Sequence, residues 1–189
     1  MKSGLNEISF LKFFNINKID IKNKSFLCAV SGGVDSMVLN DLMIKSKLSF
    51  SVASCNYKIR KESDQEIEMI KSICEKNNIK FYSKVIKSHT ENNGNSFQMI
   101  AREGRYKWFN NLMSDNGYDY LITAHHADDN VETILINLTR TTGLRGFIGI
   151  PESKNKILRP LISFGKDEIL SYAKNNRLVT FGVVPSRPE

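Results

Sequence analysis

The sequence predicts an α/β protein, a doubly wound and mostly parallel sheet with helices on both faces. Three observations predict it. Four short apolar runs, at 26–30, 50–55, 81–86 and 120–123, have the length and composition of buried strands. Stretches of helical period fall between them, the alternation in which crossover helices cover a parallel sheet. The first run passes through two glycines directly into a helical pattern, a strand–turn–helix join that belongs at the carboxyl edge of such a sheet.

Each element has its own warrant. Residues 5–14 form a leading amphipathic helix. After the strand Phe26-Leu27-Cys28-Ala29-Val30, apolar residues Val34, Met37, Val38 and Leu42 recur at helical spacing. Residues 62–76 place Ile67, Ile70 and Cys74 on one side of a helix. Asn95 or Ser96 can cap a helix running to about 113, with a stripe of Phe97, Ile100, Ala101, Gly104, Trp108 and Leu112. Gly104 on that stripe predicts close approach to the sheet. A helix over 128–139 would bury Val131, Ile134, Leu135 and Leu138, and another spans 166–176. Crossovers should be right-handed.

Composition narrows the class. With 189 residues, 41% hydrophobic and 25% charged, the chain can bury the core of one α/β domain. A net charge of +7 favours polyanionic partners such as RNA. Cys28, Cys55 and Cys74 have no CxxC spacing, which argues against a zinc site or disulfide framework, and Cys28 and Cys55 read as buried thiols. No long apolar span occurs, so a cytoplasmic location without a membrane partner is expected.

Three segments carry chemistry. Ser31-Gly32-Gly33-Val34-Asp35-Ser36 joins a strand to a helix N-terminus, where unpaired N–H groups and the helix dipole favour an anion. Gly32 and Gly33 let the backbone approach a phosphate closely. Ser31 and Ser36 can donate hydroxyl bonds, and Asp35 points to Mg²⁺ beside the phosphates. The loop lacks the lysine of a P-loop. Capping by Ser and Asp at a tight βα turn would produce the same residues. In the segment 123–133, His125, Asp129, Glu132 and Thr133 should project away from the buried stripe; acidic residues at 128 and 129 also suit a helix's first turn. Arg102 and Arg105, three apart on one helix, can hold phosphate charge or remain solvated.

Ser31–Ser36 resembles the pyrophosphate-binding SGGxDS loop of the PP-loop ATP pyrophosphatases, of the adenine nucleotide alpha-hydrolase-like fold. Taken with CNYKIRKES, AREGRY, AHHADDNVET and Leu158-Arg159-Pro160-Leu161, the chain from about 26 to 172 resembles the tRNA(Ile)-lysidine synthetases. That resemblance implies an ATP-dependent ligase. It would join free lysine to C2 of the wobble cytidine of a CAU-anticodon tRNA(Ile), through an adenylated cytidine, releasing pyrophosphate and then AMP. It implies ATP and Mg²⁺ as cofactors, tRNA(Ile) and lysine as partners, and allows a homodimer. Ser31, Gly32, Gly33, Val34, Asp35 and Ser36 would bind the nucleotide. Asp35, Arg105, His125 and Asp129 would be catalytic, with Arg105 and His125 on α-phosphate charge. Asp35 would hold metal, and Asp129 either metal or the lysine ammonium.

Two departures stand out. Tyr57 and Lys58 replace the family's usual His and Gly, while Arg60 is kept. Residues 177–189 lack the family's acidic motif and carry Pro185 and Pro188. The expected organisation is therefore a PP-loop ATP-binding catalytic domain at 1–176 and an atypical tail at 177–189, a truncation without the family's C-terminal tRNA-binding domains. Two other readings stay open at this level: another PP-loop enzyme such as a tRNA thiolase, and a remnant that binds ATP or RNA without turnover.

Overall fold

A computed structural model describes residues 4–58, 63–86, 97–139 and 149–181. The elements run α1 (Glu7–Ile16), β1 (Phe26–Ala29), α2 (Val34–Lys45), β2 (Phe50–Asn56), α3 (Ser63–Lys76), β3 (Phe81–Val85), α4 (Phe97–Asn116), β4 (Tyr120–Ile122), α5 (Ala127–Thr139), β5 (Ser153–Lys154), β6 (Ile157–Leu158) and α6 (Lys166–Asn175). The sheet order is β3-β2-β1-β4-β6-β5. All neighbours pair in parallel except β5 with β6. The four expected strands are present to within about a residue, and the β5–β6 hairpin joins them at the edge. Two-residue strands leave too few positions for a period-two pattern to show.

Residues that alternate along β1 separate the two faces. Phe26 and Cys28 join Phe10, Phe14, Val38, Leu42, Ile70 and Ile169, so α1, α2, α3 and α6 share one core. Leu27 faces the other way and packs with Ala53, Leu121, Phe109 and Met113 under α4. Aromatic edge contacts link Phe10, Phe14 and Phe26 at ring separations of 5.4 and 5.7 Å, favourable T-shaped geometry.

Three expectations about helix faces are corrected. Val131 and Leu135 are 55% and 57% exposed, and α5 has no buried residue. Its apolar stripe lies on a face that no described element covers. On α4 the expected Ala101 is buried and Trp108 and Leu112 pack against the core, but the buried side chains over Leu27 and Ala53 are Phe109 and Met113, and the expected Ile100 is exposed. Gly104 is not a close-approach glycine. A Cβ there would meet Ile86 Cγ2 at 3.8 Å, an ordinary contact. The expected caps Asn95 and Ser96 lie outside the described residues, as does Arg60.

The order of strands reverses between β1 and β4, and open α/β sheets bind ligands beyond the strands' carboxyl ends at that crevice. Residues 31–36 leave β1 there and residues 123–129 leave β4. The chain beyond α6 also reaches this edge. Phe181 forms a parallel bridge with Gly33, and its N–H donates to the Gly32 carbonyl at 3.0 Å. Residues 182–189 of the expected tail lie outside the described residues.

Candidate nucleotide-binding site

Gly33 is the N-cap of α2 and no side chain caps the helix. The capping reading of this loop therefore fails at its main point. Ser36 Oγ instead accepts the Ser31 N–H at 3.1 Å and donates to the Gly33 carbonyl at 2.9 Å. The two serine hydroxyls lie 3.1 Å apart. They shape the loop, and the helix N-terminus remains turned to the crevice. Gly32 has φ +87°, a left-handed conformation that glycine adopts without strain. Val34 is buried in the core, so only its backbone can serve a ligand.

A cleft of about 210 Å³ opens beside this loop. Ser31, Asp35, Ser36, Arg105, His125 and Asp129 all line it. Three segments remote in sequence, at 31–36, 105 and 125–129, thus bring most of the expected site residues together. Cys55 also lines the cleft and is only half-buried, a correction to its expected full burial. Burial still raises its thiol to about 12, against the opposing pull of Arg105.

His125 follows β4 and its Nδ1 lies 2.9 Å from Thr123 Oγ1. Burial first, then the Arg159 guanidinium, lowers its pKa to about 4, and Asp129 opposes the shift only in part. At neutral pH the imidazole is uncharged. It can donate or accept a hydrogen bond, but it does not bring positive charge to a phosphate. Arg159 is itself buried, and its Nη1 donates to the Pro151 carbonyl at 2.7 Å. Arg105 lies over the Tyr106 ring at 5.6 Å and beside Tyr57, whose phenol burial raises while Arg105 draws it down.

Asp129 is the third residue of α5. Its Oδ2 accepts the His126 N–H at 2.9 Å, one half of a capping box. His126 is 7% exposed, with Nε2 3.8 Å from Asp35 Oδ1 and 3.5 Å from Asp129 Oδ2. Both carboxylates therefore face one spot. Lys166, the first residue of α6, donates its backbone N–H to Asp128 Oδ2 at 2.8 Å, and its ammonium pairs with Asp35 Oδ1. The N-termini of α2, α5 and α6 consequently meet around these side chains. Sequence reasoning passed over His126 and Lys166. A signal for Lys166 did exist, since a lysine in a helix's first turn opposes the dipole.

The two carboxylates suit Mg²⁺, which takes one or two carboxylate oxygens and fills its shell with phosphate and water. Among the described residues no three His, Cys, Asp or Glu side chains form a metal cage, so an ion here would share its shell with the ligand.

A strand–SGGVDS–helix loop facing a cleft at the switch point defines a nucleotide-binding α/β domain. The PP-loop domain profile matches residues 6–181, and the chain belongs to the PP-loop family, which implies ATP binding. Its curated relatives include the tRNA(Ile)-lysidine synthase of Campylobacter jejuni subsp. jejuni serotype O:2, 36% identical over 165 residues that make up 85% of this chain and 50% of the relative. That of Streptococcus mutans serotype c is 37% identical over 84% of this chain and 38% of the relative. The chain thus spans half or less of the length of these relatives. Among solved structures, the U34-tRNA thiolase NcsA from Methanococcus maripaludis superposes with a TM-score of 0.72 at 19% identity, covering 97% of this chain and 67% of that one. NMN synthetase from Francisella tularensis gives 0.60 at 15% identity, covering 98% and 76%. These last two likenesses concern the fold. No described helix is long and apolar enough to cross a membrane.

Proposed function

We propose that this cleft carries the ATP-dependent ligation of lysine to C2 of the wobble cytidine of a CAU-anticodon tRNA(Ile), giving lysidine, AMP and pyrophosphate. The observation that carries the reading is the gathering of Asp35, Arg105, His125 and Asp129 on one wall system around the Ser31–Ser36 loop, in a chain whose relatives are named tRNA(Ile)-lysidine synthases.

In this reading the loop's backbone N–H groups and the α2 N-terminus bind the pyrophosphate end of ATP. The C2 oxygen of the cytidine attacks the α-phosphorus, and the bond to the β-phosphate oxygen breaks. Arg105 offers a fixed positive fork to the charge that develops on the α-phosphate. His125, neutral in its buried setting, adds a hydrogen bond there. The lysine ε-amine then attacks C2 and AMP leaves. Asp129 lines the cleft and accepts the His126 N–H, which supports a role in holding an ammonium or a metal ion. Asp35 and Asp129 would hold Mg²⁺, which would neutralise charge on the departing pyrophosphate.

The test uses the full chain, ATP, Mg²⁺, labelled lysine and the CAU-anticodon tRNA(Ile). ATP-dependent lysine incorporation into RNA is the expected result. A folded, ATP-binding sample that fixes no lysine would overturn the ligase reading.

A further inference from the structure

We infer that Lys166 is a phosphate-binding residue of this site, held on Asp35 until the nucleotide arrives. The inference rests on the ATP-binding reading of the cleft and adds a residue to it.

Charge balance is the first argument. Asp35, Asp128 and Asp129 all stand within 4 Å of the His126 ring, so three carboxylates surround the place where α2, α5 and α6 begin. A polyphosphate cannot approach them without cations. Lys166 is the described side-chain cation paired with this group, while Arg105 lines the cleft beside Tyr57 and Cys55.

Attachment is the second argument. The base of Lys166 is clamped. Its N–H is taken by Asp128, the preceding Gly165 N–H by Glu168 Oε2 at 2.9 Å, and the Phe164 carbonyl by the Ala127 N–H at 2.9 Å. Among the described residues the head pairs with Asp35, and both side chains are about one-third exposed. A partly exposed ion pair of this kind is weak, and the lysine stem lets the ammonium move while its base stays fixed. With Asp35 holding Mg²⁺, the released ammonium would be free to meet the oxygens of a pyrophosphate group on the adjoining loop. Lys166 would thus do from α6 what the missing lysine of a P-loop does from its own loop.

Lys166→Met and Lys166→Arg are the variants, and calorimetric binding of ATP and of AMP, each with Mg²⁺, is the readout. Lys166→Met should bind ATP about tenfold more weakly, the worth of one charge-assisted bond. It should bind AMP as the wild type does, because AMP lacks the pyrophosphate group. Lys166→Arg should recover most of the ATP affinity. Unchanged ATP affinity in Lys166→Met, or parallel weakening of ATP and AMP, would overturn the inference. Wild-type protein that binds no ATP would overturn the nucleotide-site reading itself.

Discussion

His126 and Asp129 meet at two points, one of them a hydrogen bond. The backbone N–H of His126 donates to Asp129 Oδ2 at 2.9 Å, and the imidazole Nε2 of the same residue stands 3.5 Å from the same oxygen. The backbone bond therefore orients the carboxylate on the cleft wall before any ligand binds. One residue serves both as the cap of α5 and as a wall of the site.

The two roles separate by substitution. An asparagine side chain can still accept the His126 N–H, so Asp129→Asn should keep thermal stability close to wild type. It loses the charge, and lysidine formation should fall by at least tenfold, on the order of one lost charged contact. Asp129→Ala loses both, and should also cost about 1 kcal/mol of stability as other cap deletions do. Chemical denaturation and single-turnover lysine incorporation read the two effects. An Asp129→Asn enzyme with the wild-type rate would remove Asp129 from the chemistry.

The neighbouring glycines make a similar pair. Gly32 sits at φ +87° with its virtual Cβ 3.4 Å from Glu66 Cβ. Gly32→Ala should destabilise the fold by about 1 kcal/mol or more, since alanine is strained at positive φ. Gly33 has φ −71°, and among the described residues a Cβ there would meet Ser31 Oγ alone, at 3.6 Å. Gly33→Ala should therefore fold normally and yet lose ATP affinity, because its methyl group would occupy the approach to the phosphates. Equal ATP binding by Gly33→Ala and wild type would mean that the phosphates lie elsewhere.

Much of this was legible in the chain. The runs around Cys28, Val52 and Leu121 are short and almost wholly apolar, as strands covered on both faces must be, and they announced a parallel sheet. Ser31–Ser36 announced the loop, because a strand, two glycines and a helix start admit few other conformations. What stayed hidden depends on contacts between remote elements. Lys166 is locally odd in opposing the dipole of its helix, but only the approach of α6 to α2 gives it Asp35 as a partner. His126 reads as a twin of His125, yet one ring is packed among three carboxylates and the other is aligned by Thr123. The apolar positions of α5 obey the helical period, and the period says nothing about whether an element lies across from them.

Thiol chemistry offers an independent check on the cleft. Burial raises Cys55 and Cys74 to about 12 and pushes Cys28 up as well, and the thiolate is the reactive form. Native protein at pH 8 should therefore react with iodoacetamide far more slowly than the same protein in denaturant. Cys55, on the cleft wall, should be the first of the three to react when denaturant is raised to low levels. Peptide mapping of the labelled sites decides this. Rapid labelling of Cys55 in native protein would show that the Arg105 charge outweighs burial there.

The depressed pKa of His125 sets a pH dependence with a definite sign. An unfolded histidine titrates near its ordinary value of 6.5, and the folded one near 4. Between those values the unfolded chain binds more protons than the native one, so acid favours unfolding. The contribution is fully present above pH 6.5, falls as pH drops through this window, and is exhausted below 4. Full expression of the shift corresponds to about 3 kcal/mol, and the partial exposure of the ring sets that as an upper figure. Replacing His125 with Gln, which keeps a polar partner for Thr123, should flatten the stability profile between pH 4 and 6.5. Arg159→Met should act through the same group, since removing the second-largest cause of the shift lets the folded pKa climb and narrows the window. Denaturant melts of the three proteins across this range test it, and a His125→Gln profile parallel to wild type would assign the acid sensitivity to other groups.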